Sequence, residues 1–182
     1  MPALLKPSEC SVLVLNGNDD AADQTVADNI ASHRQRILQA ASPCGIPAFF
    51  AARARDHATQ AALGATARSF NPLVYSCCTT GVLWAETSLA HALAATDRSS
   101  LLLCGYWLDE CITFTALNAL GEGYDVYVLT DASPPLDLAE RDTTILRLLQ
   151  AGVVPTTTKQ AIREWAADTA DASQRDQLLA LT

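Results

Sequence analysis

Six short, unbroken apolar runs alternate with longer helical stretches along this chain, and that alternation constrains the fold more than any other feature. The runs fall at residues 12–15, 46–51, 73–77, 100–104, 125–130 and 153–154. They are continuous, not polar at every second residue, so each predicts a strand covered on both faces. Between them, residues 22–41, 86–96, 111–120, 138–150 and 158–170 carry helical spacing, with a weak alanine-rich stretch at 57–68. In the first helix Val26, Ile30, Ile37 and Leu38 form the inward stripe, and Pro43 and Gly45 stop it. Thr157 or Thr158 is placed to cap the last helix. Strands that alternate with helices predict a parallel sheet with helices on both sides. The expected fold is α/β, a three-layer α/β/α (Rossmann-like) arrangement with a mainly parallel six-stranded sheet. No repeat, low-complexity tract or linker divides the chain. We therefore expect one domain over residues 1–182, with its core at about 10–168 and a polar tail that frays.

Charge and composition narrow the partners. Hydrophobic residues make up 49% of the chain, enough for a full core, and the net charge is −8 with no basic run. Nucleic acid and anionic membrane surfaces are poor partners for such a chain. No apolar stretch reaches the length of a membrane span. The start, Met1-Pro-Ala-Leu-Leu-Lys-Pro7, lacks the pattern of a signal peptide. The expected location is the cytoplasm, where the six cysteines stay reduced. None forms a Cys-x-x-Cys pair, and no metal or cofactor is expected. His33 and His91 lie on helical stretches and are expected at the surface.

Functional residues in parallel sheets gather past the carboxyl ends of the strands. The candidate loops are therefore 16–20, 53–57, 77–80, 105–111 and 131–135. The fourth is the most telling. Leu101-Leu-Leu-Cys-Gly-Tyr-Trp-Leu-Asp-Glu-Cys111-Ile reads as a strand, a glycine-led turn and a helix that starts at or just before Cys111. A thiol at a helix amino end meets N–H groups and the positive end of the dipole, which favour the thiolate. Trp84, Tyr106 and Trp107 are candidates to line a pocket over it, although Trp84 serves equally well as core.

That block, followed by Ala116-Leu-Asn-Ala-Leu-Gly-Glu-Gly-Tyr-Asp-Val-Tyr-Val-Leu-Thr-Asp-Ala132, resembles the isochorismatase-like cysteine hydrolase superfamily. Thr130-Asp-Ala-Ser133, Ala151-Gly-Val-Val-Pro-Thr-Thr157 and Glu164-Trp-Ala-Ala-Asp168 resemble its YcaC-like branch. The resemblance implies a nucleophilic cysteine at Cys111 and a cis peptide at Tyr106–Trp107. It also implies an oxyanion site from backbone N–H groups near Leu108, Glu110 and Cys111, a small-molecule substrate such as an amide, and a homo-oligomer. It implies an aspartate after the first strand and a lysine or arginine after the third. Here Asn16 and Cys77 stand at those places, and no Lys or Arg lies between Ser69 and Asp97. Asn16 can orient a ligand but cannot take a proton. Asp19 and Asp20 share its loop. Cys77 or Cys78 is a candidate partner for Cys111 in a redox pair or thiolate site, or filler for the space the cation left. Asp109 is expected to cap its own helix. Asp56-His57 lacks the spacing of the metal-binding variant. Two functions are then open: a hydrolase working through Cys111, impaired by the lost partners, or an inactive relative that binds ligands or serves structurally.

Overall fold

A computed structural model describes residues 4–16, 24–53, 74–77 and 89–182, with side chains described at 4–15, 27–51 and 89–182. The expected helical stretch at 57–68 lies outside the described residues. The strands are β1 (Cys10–Asn16), β2 (Ala48–Arg53), β3 (Val74–Cys77), β4 (Ser100–Gly105), β5 (Asp125–Leu129) and β6 (Val154–Thr156). The helices are α1 (Gln24–Ala41), α2 (Leu89–Ala94), α3 (Thr113–Gly121), α4 (Arg141–Ala151), α5 (Thr158–Asp168) and α6 (Ala172–Leu179). The sheet order is β3-β2-β1-β4-β5-β6, and all five pairings are parallel. The order reverses between β1 and β4. A crevice opens at such a reversal, because the connections on its two sides leave in opposite directions.

Alternation along the strands builds two apolar layers. Val12, Val14, Phe50, Leu102 and Cys104 pack against Ile37 and Leu38 of α1 and Ile162 and Trp165 of α5. Leu13, Leu15, Phe49, Leu101 and Leu103 pack on the other face, against Leu89, Leu93, Ile112, Ala116 and Leu148. All six residues of β4 are buried, as its unbroken apolar run predicts. A fully buried leucine stabilises by roughly 1.5–3 kcal/mol, so the two layers supply most of the folding force.

Several elements depart from the sequence reading. The expected fraying tail is the ordered helix α6. Asp171 caps it through the Ser173 and Gln174 amides, Gln174 donates to the Pro43 carbonyl at 2.6 Å, and Leu178 is fully buried. One buried leucine and a good cap decide the matter, and the surrounding polarity hides both. The helix expected at 138–150 begins with a tight 3-10 turn at Leu138–Glu140, capped by Asp137, before α4. Thr157 caps α5 by accepting from the Gln160 amide, as expected.

Candidate functional site

The turn that carries the candidate thiol is tied down on both sides. Gly105 ends β4 at φ +124°, beyond the reach of most L-residues. A Cβ there would stand 1.8 Å from the Leu15 carbonyl oxygen of β1, so only glycine lets the two strands pass. Immediately afterwards the Tyr106 amide donates to that same Leu15 oxygen at 2.9 Å. The Tyr106–Trp107 peptide is cis. Both side chains are buried with Ile30 of α1, their rings edge to face at 4.8 Å between centroids. The Arg34 guanidinium lies 5.0 Å from the Tyr106 ring centroid, a cation–π contact.

Cys111 does not begin its helix. Helical structure starts three residues earlier, as one wide π turn over Leu108–Ile112 that runs into α3. The Ile112 amide reaches back to the Trp107 carbonyl at 3.1 Å, and the Thr113 hydroxyl donates to the Leu108 carbonyl at 2.6 Å. Polar Asp109 and Glu110 made the turn read as loop in sequence. Cys111 is half-buried, on the layer that contains Leu108, Ile112 and Ala116. It still sits in the first turn, where the helix dipole acts.

Two of the expected oxyanion donors are already occupied. The Leu108 amide donates to the Pro134 carbonyl at 2.9 Å, and the Glu110 amide to the Trp107 carbonyl at 3.2 Å. Asp109 does not cap its own helix either. Its carboxylate accepts from the Leu136 amide at 2.8 Å and the Asp137 amide at 3.1 Å. Both oxygens are engaged with the segment after β5, which makes Asp109 a clamp between two strand-end loops.

A second polar cluster lies past the ends of β5 and β6. Asp131 accepts from the Thr158 amide at 2.9 Å and the Thr158 hydroxyl at 3.0 Å. His33 is not a surface group. Its side chain is 18% exposed, with Nδ1 3.3 Å from an Asp131 oxygen but off the angle of a hydrogen bond. A helix face that mixes alanine with polar residues hides such a contact in sequence. His91 is exposed, as expected. Beneath the cluster Cys104 is fully buried, and burial pushes its thiol up to about 12. Cys10 is pushed up to about 11 for the same reason.

Of the other sequence candidates, Asn16 closes β1 and Cys77 closes β3. Their backbones are placed, while their side chains lie outside the described residues. So do Asp19, Asp20, Asp56, His57, Cys78 and Trp84. Sheet order sets β1 beside β4 and β3 two strands from β1. At roughly 4.8 Å per strand, the Cys77 backbone stands about 10 Å from that of Asn16. One of the candidate strand-end loops, 53–57, opens on a basic residue. β2 closes at Arg53, whose backbone pairs with Cys77. Among the described residues no cluster of His, Cys, Asp and Glu has metal-site geometry.

A model of the isochorismatase domain matches residues 28–160. The chain belongs to the isochorismatase family. Its likeness runs to the YcaC-like branch: it is 38% identical over 69 residues to "Probable hydrolase YcaC" of Escherichia coli K12, covering 38% of this chain and 33% of that one. The aligned part spans about a third of the length of the first curated relatives. YcaC from Pseudomonas aeruginosa, solved with hexane-2,5-diol and covalent acrylamide, shares the fold at TM-score 0.76 and 20% identity over 100% of this chain and 92% of that one. The E. coli YcaC structure, described as an octameric hydrolase of unknown specificity, aligns at TM-score 0.77 and 20% identity, covering 100% and 91%. The family match includes Cys77, Trp84 and the thiol turn. It starts after β1 and leaves Asn16 outside.

Proposed function

We propose that this chain is a hydrolase acting on a small amide or a related centre through Cys111. One observation carries the reading. In a family whose relatives are named hydrolases, the half-buried Cys111 lies in the first turn of the helix that leaves β4, beside the β1–β4 reversal. In the proposed step the Cys111 sulfur attacks the amide carbon, and the C=O π pair moves onto oxygen. That pair returns to expel the amine, which leaves with a proton. Water then cleaves the thioester and restores the thiol. Tyr106 and Trp107, in the turn that leads to Cys111, are the proposed pocket wall; Trp84, the other candidate, lies outside the described residues. With the Leu108 and Glu110 amides occupied, the oxyanion role passes to other donors.

Asn16 orients the ligand and has no basic atom, so the thiol proton leaves without a dedicated base. That alone removes about 10²–10⁴-fold of rate. Cys77 stands where the resemblance implies a cation, and Arg53, its backbone partner on β2, is the proposed source of positive charge at these strand ends. The chain is proposed to act as a single domain, in the cytoplasm, and as a homo-oligomer. Support for assembly comes from the octameric E. coli YcaC and from the exposed leucines Leu138, Leu146 and Leu149.

Labelling with acrylamide across pH, mapped by mass spectrometry, tests the reading. Cys111 is expected to react near pH 7 faster than a cysteine in an unfolded peptide, and Cys111→Ala to abolish turnover of any amide substrate found by screening. A Cys111 profile that matches the peptide overturns the proposal.

A further inference from the structure

Four hydrogen bonds fasten the segment after β5 along the thiol turn. Gly105 donates to the Ala132 carbonyl at 3.0 Å and Leu108 to the Pro134 carbonyl at 2.9 Å. The Asp109 carboxylate then holds the Leu136 and Asp137 amides. Ser133 sits between the first two of these ties, alongside the cis Tyr106–Trp107 peptide. It is 1% exposed, and its hydroxyl has no hydrogen-bond partner among the described residues.

A buried hydroxyl without a partner is costly, and native proteins leave few of them. Two other buried atoms short of a hydrogen bond have polar neighbours: His33 Nδ1 faces Asp131, and the Trp165 indole nitrogen lies near the Cys10 thiol. Ser133 has none. Alanine would fill almost the same volume without stranding an oxygen. The hydroxyl is thus kept at a stability cost, at a point pinned against the turn that carries Cys111. Such costs concentrate where a group serves a ligand.

We propose that Ser133 is a ligand-binding residue, its hydroxyl donating a hydrogen bond to the carbonyl oxygen of an amide held against Cys111. This rests on the reading of Cys111 as the nucleophile. Shielded from water, the bond is stronger than one at the surface. It strengthens further as charge builds on the oxygen.

Ser133→Ala tests this with two thiol probes and a melting curve. With acrylamide, the Cys111 sulfur bonds to the terminal alkene carbon. The alkene pair moves toward the amide oxygen, and the adjacent carbon later takes a proton from water. With methyl methanethiosulfonate, the sulfur displaces methanesulfinate and no carbonyl takes part. The variant is expected to add acrylamide about 10- to 100-fold more slowly, to react with the thiosulfonate at the wild-type rate, and to melt about 2–4 °C higher. Equal slowing of both probes, or slowing of neither, overturns the proposal. So does a lower melting temperature, which would mean that the hydroxyl has a structural partner. If wild-type Cys111 reacts with both probes only at the rate of an unfolded peptide, the hydrolase reading itself falls. A reactive wild type with an unselective variant condemns Ser133 alone.

Discussion

Cys104 and Cys111 lie seven residues apart and carry the same side chain, yet the fold gives them opposite surroundings. Cys104 is on a strand whose every residue is buried, and its thiol is pushed up to about 12. Nothing on that face rewards ionisation enough to offset lost hydration. Cys111 is past the strand end, half-buried, in the first turn of a helix. Between them stands Gly105, where β4 leaves the sheet against the Leu15 carbonyl. A reactive thiol requires the second setting, and one glycine separates it from the first.

The sharpest way to break this contrast is Gly105→Ala. A Cβ 1.8 Å from the Leu15 oxygen has no room, and the obstacle is backbone. We expect a loss above about 4 kcal/mol or failure to fold, read from the urea midpoint. A wild-type midpoint would mean that β1 and the turn do not press so closely.

High pH probes the buried side of the contrast next. Burial raises Cys104 and Cys10 in the folded state to about 12 and about 11, above their ordinary value of 9.0. Their stabilisation is complete below pH 9. Above it the unfolded chain loses protons that the folded chain keeps, so stability falls by about 1.4 kcal/mol per pH unit for each thiol. The fall ends for Cys10 near pH 11 and for Cys104 near pH 12. Denaturant titrations between pH 8 and 11 should show this slope, and Cys104→Ala should make it shallower. A flat profile would place both thiols nearer water.

Asp109→Ala addresses the half-buried thiol. Losing two carboxylate–amide bonds should cost about 1–3 kcal/mol. By charge alone, removing an anion beside Cys111 should speed its labelling. As a clamp, its loss should slow labelling by letting the 132–137 segment drift. The sign of the rate change decides between them. The smallest expected effect is that of Arg53→Gln. It should leave the melting temperature near wild type and slow Cys111 labelling at pH 7 by about 10-fold, the scale of one lost charge contact. Unchanged labelling would remove Arg53 from the site.

Much of the fold was legible because continuous apolar runs and helical spacing are local signals. Six runs matched six strands, shifted by a residue or two where β-structure outlasts the apolar stretch, as at Asn16 and Arg53. Glycine and the apolar strand before it marked the thiol turn. The π turn was not legible, because Asp109 and Glu110 look like loop residues until their partners across the molecule are known. His33 was misplaced for the same reason, as its neighbour Asp131 is nearly a hundred residues away. Ser133 and Arg53 lie in the candidate loops 131–135 and 53–57, yet nothing local singled either of them out. The role proposed for one rests on a hydroxyl without a described partner, and that for the other on pairing across a sheet.

The sequence by itself determined the layers, the parallel sheet, the family likeness and the position of Cys111 near the start of a helix. These depend on period and on short motifs, which neighbours in sequence carry. Only the tertiary structure decided which groups the turn could spend. It occupied the Leu108 and Glu110 amides, turned Asp109 toward the segment after β5, buried Cys104 and left the Ser133 hydroxyl unpaired among the described residues. Hydrogen bonding and desolvation depend on atoms brought together from distant parts of the chain, and no local pattern encodes that meeting.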